Sequence, residues 1–239
     1  METEFIFWRH DTPAGIRVEE ISGGEDKSDK LWKIMAHQVF GENGGNRYRE
    51  IGHFDGGAPY LDDEPQRISI SHTRHFMVIA FLPRTPEAGL DEFNLRTAMG
   101  IDTERIDRGQ VLRIADRFLS PEESELVARY ADSLTAGSDH HPAMEAGQAA
   151  VCANILAWTV KEALFKAALT EGLDFREKLR IITLPEICNT PMVKDPGYGK
   201  AEIILPDSAP IAMELFSYIS EGHIVTLAYS PKCAKFRKS

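Results

Sequence analysis

The sequence is poor in cysteine, lacks long apolar runs and carries more acidic than basic residues. Only three cysteines occur (Cys152, Cys188 and Cys233), and their spacing matches neither a zinc site nor a Cys-x-x-Cys motif. No apolar run approaches the roughly 20 residues that cross a membrane. The acidic first four residues lack the basic and apolar regions of a signal peptide. We therefore expect a protein of the reducing cytoplasm, with free cysteines, that does not span a membrane.

The formal net charge of −10 argues against general nucleic-acid binding, which needs a basic surface. Hydrophobic residues make up 43% of the 239 residues and charged residues 27%, which is ordinary for a globular protein with a sizeable core. An anionic ligand or partner would have to be attracted by local basic patches or by a bound cation, because the overall charge repels it.

Residues 143–170 form an uninterrupted run rich in Ala, Leu, Glu and Lys, with one Gly and no Pro, which predicts a helix. Residues three and four apart share a helical face, so Trp158, Glu162 and Lys166 form one stripe. The spacing of Glu162 and Lys166 is also that of a weak surface ion pair on an amphipathic helix. Spacing alone does not decide between a functional group of side chains on one face and such an ion pair.

A second group of polar residues lies in a predicted strand over residues 99–106. Asp102 and Glu104 are two residues apart, so they project from the same face of this strand. Adjacent carboxylates repel each other unless a proton or cation separates them, and oxygen ligands of this kind suit Mg²⁺. Glu162 would add a third carboxylate and complete a metal site. The alternative is a solvated acidic strand end.

Elsewhere the pattern predicts strands at residues 5–8 and 16–21, a helix over about 28–41, and a hairpin of strands at 67–71 and 76–82 joined by residues 72–75. Ser120, Pro121 and Glu123 have the spacing of a helix capping box. Three further strands are predicted at 202–205, 212–219 and 223–229, which would form a meander packed with a helix.

Four short motifs occur in a fixed order and together resemble those of the 4′-phosphopantetheinyl transferase superfamily. They are Ile68-Ser69-Ile70-Ser71-His72-Thr73, Gly100-Ile101-Asp102-Thr103-Glu104, Arg117-Phe118-Leu119-Ser120 with Glu123, and Trp158-Thr159-x-Lys161-Glu162-Ala163-x-x-Lys166. Each motif is weak alone, and the shared order makes the resemblance specific. The length is similar to that of the larger, surfactin-synthetase-type class, in which one chain holds two similar halves.

The resemblance implies an α+β fold built as a pseudodimer, in which each half is an antiparallel sheet packed with helices. We expect an N-terminal half over residues 1–98 and a C-terminal half over residues 99–239, with the metal site at their interface. Because one chain would supply both halves, we expect a monomer.

The family implies transfer of 4′-phosphopantetheine from coenzyme A to a serine of an acyl or peptidyl carrier protein, with release of adenosine 3′,5′-bisphosphate. By motif match, Asp102, Glu104 and Glu162 are the Mg²⁺ ligands. Glu162 is also the candidate general base, directly or through water, and Lys166 is expected to hold phosphate charge. Lys161 is expected to point towards solvent or the edge of the coenzyme.

Further coenzyme contacts are implied in the first half of the chain. Ser71 and His72 match a motif whose histidine bonds the pyrophosphate of coenzyme A. Arg47 and Arg49 form a small basic group. It is expected to bind the 3′-phosphate of coenzyme A or an acidic carrier, and the alternative is that it serves solubility alone.

One departure from the family pattern keeps a second hypothesis open. The family often has Gly-Lys-Pro where this chain has Gly57, Ala58 and Pro59. A backbone contact with the coenzyme at Pro59 remains possible, but the lysine charge is lost. The alternative function is therefore that of a non-catalytic relative that binds coenzyme A or a carrier protein.

Overall fold

The fold is α+β, with two sheets and few helices. The computed structural model describes residues 6–12, 15–23, 51–53, 59–61, 66–81, 99–137, 143–192 and 197–231. Strands before residue 82 form one sheet, and strands from residue 99 onwards form the other. Their relation as two similar halves stays a prediction, as does the boundary between residues 98 and 99.

The first sheet is antiparallel and has the strand order β1–β2–β6–β5–β4–β3. Its strands are β1 (Ile6–Asp11), β2 (Arg17–Ser22), β3 (Ile51–His53), β4 (Pro59–Leu61), β5 (Gln66–His72) and β6 (Phe76–Phe81). The predicted hairpin is confirmed as β5 and β6, with the difference that His72 is the last residue of β5 and not part of the turn.

The second sheet has the order β7–β12–β11–β10–β8, with a short β9 that pairs in parallel with β11. Its strands are β7 (Met99–Arg105), β8 (Leu179–Thr183), β9 (Ile187–Cys188), β10 (Gly199–Ile203), β11 (Ile211–Ser220) and β12 (His223–Tyr229). The predicted strand that carries Asp102 and Glu104 is confirmed as β7, which pairs with β12 at one edge of this sheet.

The described helices are α1 (Ala115–Phe118), α2 (Pro121–Ala136) and α3 (Ala146–Ala168), preceded by a 3₁₀ turn at Gly109–Arg113. The capping box that begins α2 is confirmed. The backbone N–H of Glu123 donates to Ser120 Oγ at 3.2 Å, and the N–H of Ser120 donates to Glu123 Oε2 at 2.9 Å. None of the described helices is long and apolar enough to cross a membrane.

The second sheet lies between the helices and the first sheet. Leu156 and Leu164 of α3 belong to a buried cluster on one of its faces. On the opposite face, Ile101 and Leu227 pack with Val78 of the first sheet. Burial of a side chain of this size contributes about 1.5–3 kcal/mol, so the buried clusters on both faces of the second sheet stabilise the fold.

Gly100 allows α3 to approach β7 very closely. A Cβ at this position would lie 2.0 Å from the carbonyl oxygen of Ala163 and 2.7 Å from the backbone nitrogen of Ala167. Only a glycine fits this contact, because real Cβ atoms do not come so near to backbone atoms. The close packing brings the side chains that flank Gly100 along β7 next to the C-terminal half of α3.

Candidate active site

The candidate site begins where β5 of the first sheet meets β7 of the second. The N–H groups of Ile101 and Thr103 donate to Ser69 Oγ at 3.0 Å and to Ser71 Oγ at 3.2 Å. Ser71 Oγ in turn donates to Asp102 Oδ1 at 2.7 Å. Ser69 and Ser71 alternate along β5, so both hydroxyls face the same way. The two hydroxyls thus accept hydrogen bonds from backbone N–H groups of β7, and that of Ser71 also positions the Asp102 carboxylate.

Asp102 also meets the helical stripe predicted on α3. Lys166 Nζ donates to Asp102 Oδ1 at 2.7 Å and to the carbonyl of Ile101 at 3.1 Å. Lys166 thus reaches across to β7, whereas the sequence pattern had suggested a pair with Glu162 on its own helix. Burial raises the pKa of Asp102, and the charge and hydrogen bonds of Lys166 and Ser71 oppose that rise.

Glu162 lies one turn before Lys166 and is half-buried. Its side-chain carboxylate accepts no hydrogen bond from the described part of the chain. Burial raises its pKa to about 7, with a further contribution from the charge of Asp102 and an opposing one from Lys166. Glu162 is therefore a carboxyl group near Asp102 that exchanges its proton close to neutral pH.

Glu104 projects from the same strand as Asp102 and is held by the turn that follows β7. Its Oε2 forms an ion pair with Arg108, and its Oε1 accepts a 2.9 Å hydrogen bond from the N–H of Arg105. The Glu104 side chain is only 13% exposed, whereas that of Arg108 is 52% exposed. Both carboxylate oxygens are engaged with this turn.

The three acids fit a divalent cation by their chemistry. Among the described residues, no three acidic, histidine or cysteine side chains stand together as a formed metal cluster. Asp102 and Glu104 are each paired with a cation of the chain, namely Lys166 and Arg108. Hard carboxylate oxygens of this kind are the ligands that Mg²⁺ prefers, and the half-buried Glu162 accepts no hydrogen bond from the residues described. Asp102, Glu104 and Glu162 therefore have the chemistry of Mg²⁺ ligands but do not stand together as a metal site here, so their role as ligands stays a prediction.

The expectation that Lys161 points to solvent or to the coenzyme is wrong. Lys161 is completely buried, and its Nζ donates to Glu123 Oε1 at 2.7 Å and Oε2 at 2.8 Å. It also donates to the carbonyls of Phe175, at 2.7 Å, and Leu179. Helix α3 is buried on nearly all sides, so the side next to the Glu162 stripe faces α2 and the sheet. Lys161 is a structural residue.

Glu123 is the structural partner of Lys161 as well as a capping residue. Its Oε1 accepts a 2.7 Å hydrogen bond from the N–H of Ile181 on β8, in addition to the bonds from Lys161 and Ser120. The carboxylate thus joins the start of α2 to α3 and to the second sheet. Every contact that the structure records for this carboxylate is structural.

Trp158 packs against aromatic side chains next to the buried cluster. Its ring contacts Phe118 edge-on, with centroids 5.0 Å apart, and stacks near Phe175 at 6.0 Å. These aromatic contacts support the middle of α3. The ring therefore contributes to packing, in line with its place beside the buried cluster.

The predicted coenzyme contacts fall in different environments. Ser71 is buried and its hydroxyl is engaged with Asp102 and β7, while His72 is exposed at the end of β5. Pro59 begins β4 and is half-buried. Arg47 and Arg49 lie outside the described residues, as do Ala58, the predicted helix over 28–41 and residues 82–98.

The sequence patterns gave no individual role to three residues around the site. Ser69 braces β7, Arg108 pairs with Glu104, and His223 at the start of β12 contacts Thr73 Oγ1 at 2.9 Å. His223 also stacks on Phe76, with centroids 4.7 Å apart, and so anchors the turn that follows His72. The sequence held only a weak signal for two of them. Ser69 lies two residues before Ser71, and Arg108 lies four residues after Glu104.

A comparison with protein families places this geometry in a known group. The model of the 4′-phosphopantetheinyl transferase superfamily matches residues 98–219, about half of the chain. This range contains Asp102, Glu104, Glu162 and Lys166. A search of curated proteins finds no match for the chain. The matched range starts at β7 and includes the helices and most of the second sheet, so the chain belongs to the 4′-phosphopantetheinyl transferase superfamily, whose members modify carrier proteins.

Proposed function

We propose that the protein transfers 4′-phosphopantetheine from coenzyme A to a serine of an acyl or peptidyl carrier protein in a Mg²⁺-dependent reaction. The contact of Asp102 with Lys166, beside the half-buried Glu162, is the observation that carries this proposal. It joins two motifs that are 64 residues apart in sequence into one charged site within the range that the family model matches. The other product would be adenosine 3′,5′-bisphosphate.

The reaction is the attack of an alcohol on a phosphorus atom of a pyrophosphate. A new bond forms between the serine oxygen and the phosphorus that carries pantetheine, and the bond to the adenylate oxygen breaks. The serine proton must go to a base, and the negative charge that develops on the phosphates must be stabilised. The site offers a carboxyl group for the first task and an ammonium group for the second.

Glu162 is suited to accept the serine proton. Without a bound cation its pKa is raised to about 7, near neutral pH, where a general base is both available and strong enough to be useful. Lys166, one turn further along α3, is 27% exposed and carries its charge at the same surface. It would stabilise phosphate oxygens while remaining bonded to Asp102 or exchanging that contact for the substrate.

Asp102, Glu104 and Glu162 would hold the Mg²⁺ ion. When bound, the ion would neutralise the pyrophosphate and stabilise charge on the leaving group. Glu162 therefore has two candidate roles, as ligand and as base, and a water molecule between it and the serine would allow both. Ser71 would act by holding Asp102 in place.

The coenzyme would lie along the first sheet and the junction with β7. His72 is exposed at the end of β5, next to the serine that holds Asp102, and would contact the pyrophosphate. Pro59, Arg47 and Arg49 remain proposed contacts for the rest of the coenzyme. Lys161 is not among them, because its ammonium group is buried against Glu123.

A basic surface follows β7 and would receive an acidic carrier protein. Arg113 and Arg117 are exposed, and Leu112 before them is 45% exposed, whereas the exposed Arg105 pairs with Asp107. This local charge offers what the overall charge of −10 does not. The chain would act as a monomer, with both sheets contributing to one site.

The decisive experiment follows the mass of apo carrier proteins incubated with the protein, coenzyme A and Mg²⁺. We expect a gain of one phosphopantetheine that disappears with EDTA. Asp102→Asn should lower the rate at least about 100-fold, because it removes a charge that would face the ion and Lys166. Asp132→Asn is the matched control, since Asp132 is exposed on α2.

Two results would argue against the proposal. Full transfer by the Asp102→Asn variant would remove the assigned site from the reaction. No transfer to fatty-acid, polyketide or peptide synthetase carriers, together with measurable binding of coenzyme A, would instead favour a non-catalytic relative. Calorimetry with coenzyme A alone separates these cases.

A further inference from the structure

Two of the three acids in the site already have cations of the chain as partners. Lys166 pairs with Asp102 at 2.7 Å, and Arg108 pairs with Glu104. Three carboxylates near one another would repel strongly without such partners. The chain therefore supplies the positive charge itself when no external cation is present.

The two pairs differ in how firmly they are held. Lys166 projects from α3, is about one-quarter exposed and also donates to the carbonyl of Ile101 at 3.1 Å. Arg108 lies in the turn after β7, and its side chain is 52% exposed. The guanidinium of Arg108 can thus move into solvent at little cost, whereas Lys166 is anchored to the strand.

We propose that Arg108 is a displaceable counter-ion of Glu104, which holds this carboxylate in the absence of a divalent cation and releases it when one binds. The inference rests on the proposed function, because it takes Glu104 as a ligand of that cation. It adds a regulatory residue that lies four positions after Glu104, on the exposed turn that follows β7.

Displacement makes the pairing an equilibrium that competes with metal binding. The apparent affinity for the ion is lowered by the extent to which Glu104 prefers Arg108. An ion pair with one exposed partner is weak, and its removal should tighten metal binding about two- to fivefold. A more strongly buried pair would hold the acid too firmly for ready exchange.

The test is a titration with Mn²⁺ alone, without coenzyme A or carrier, in which electron paramagnetic resonance measures the free ion at constant ionic strength. Mn²⁺ takes the same oxygen ligands as Mg²⁺. We expect Arg108→Ala to bind the ion about two- to fivefold more tightly than the wild type. Arg108→Lys, which keeps the charge, should stay near the wild-type affinity.

Arg105→Ala provides the matched control. Arg105 is the last residue of β7, its side chain is 57% exposed, and it pairs with Asp107 at 2.6 Å. Its replacement by Ala removes the same charge from a position next to the turn that carries Arg108. Its removal should change the affinity less than removal of Arg108. In a double-mutant cycle, Arg108→Ala should have no further effect once Glu104→Gln has removed the carboxylate.

The outcomes separate this inference from the proposed function. Equal effects of Arg105→Ala and Arg108→Ala, or an Arg108 effect that persists with Glu104→Gln, would reduce the role of Arg108 to general electrostatics and overturn the inference. So would a wild-type protein that binds no Mn²⁺. The proposed transfer is decided independently by the mass of the carrier protein, with and without EDTA.

Discussion

Ser71 on β5 donates a 2.7 Å hydrogen bond to Asp102 on β7, and this contact joins the first sheet to the reaction centre proposed in the second. Both residues are buried. The same hydroxyl accepts from the N–H of Thr103 at 3.2 Å, so Ser71 holds the strand as well as the carboxylate. The position of Asp102 therefore depends on both sheets.

Ser71→Ala should lower kcat/KM for transfer about 10- to 100-fold. A hydrogen bond to a charged group contributes about 1.5–3 kcal/mol, and its loss would leave the buried Asp102 less firmly placed. Ser69→Ala is the control, because Ser69 Oγ binds the N–H of Ile101 and makes no recorded contact with the Asp102 carboxylate. Steady-state kinetics and melting curves would be measured for both. An equal loss of activity in both variants would contradict a specific role of Ser71.

Lys161→Met should destabilise the fold by about 3–5 kcal/mol, because it leaves the Glu123 carboxylate buried without its counter-ion. Urea unfolding would measure the change. Arg129→Ala is the control, since Arg129 pairs with Glu125 on the surface of α2 at 3.9 Å and such pairs contribute little. If both variants unfold at the same urea concentration, the buried pair is not a major source of stability.

The raised pKa of Glu162 should make the free energy of unfolding depend on pH in EDTA. The ordinary value is 4.5 and the folded value is about 7, so the folded state binds the proton more tightly than the unfolded state. The stabilising contribution is complete below pH 4.5 and is lost as the pH rises through about 7. Glu162→Gln should remove this contribution.

The measurement is the difference in unfolding free energy between wild type and Glu162→Gln across pH 4 to 8, by urea titration at each of about five pH values. We expect the wild type to lose stability relative to the variant as the pH rises. A constant difference would show that the Glu162 carboxyl titrates at its ordinary pH in the folded protein.

Gly100→Ala should destabilise the protein by about 1–3 kcal/mol or more and impair transfer, because the new methyl group would collide with the backbone of α3. Calorimetric melting and transfer rates would be compared. Gly109→Ala is the control, since a Cβ there meets nothing within 4 Å. A Gly100 variant as stable and active as the Gly109 variant would show that α3 can shift away from β7 without cost.

Reversal of Arg113 and Arg117 to Glu should raise the KM for an acidic carrier about tenfold or more while leaving coenzyme A binding unchanged. Both residues are exposed on the basic surface after β7. The control reverses Arg129 and Lys200, which are exposed on α2 and β10. Kinetics at several salt concentrations would measure the effect. A similar change in both double variants would indicate charge repulsion without a defined docking surface.

Local periodicity was sufficient to predict the two elements that carry the site. Asp102 and Glu104 repeat at the period of a strand, and Glu162 and Lys166 repeat at that of a helix, as β7 and α3 show. Predicted strands in the meander were also found, although β10 begins at Gly199 and not at residue 202. Short strands such as β3, β4 and β9 carry too few residues for a periodic signal.

The environment of Lys161 could not be predicted from the spacing of its neighbours. Its partner Glu123 is 38 residues away, and pairing across that distance depends on how α2 and α3 pack. One signal was present in the composition of α3, where 13 of 23 residues are buried. A helix that is apolar on nearly every side is a buried helix, so a lysine on it has to find an internal partner.

The serine contacts between β5 and β7 give the molecule a seam of a different kind from the ladders inside each sheet. Within a sheet, backbone hydrogen bonds fix the neighbouring strands, whatever the side chains are. Where β5 meets β7, the hydroxyl groups of Ser69 and Ser71 make the connection, in addition to contacts elsewhere between the sheets such as that of Thr73 with His223. The position of β5 relative to β7 therefore depends on side chains, and with it the distance between the turn after His72 and the acids on β7. Substitutions at Ser69 and Ser71 are expected to shift this spacing while the backbone ladders inside each sheet are kept.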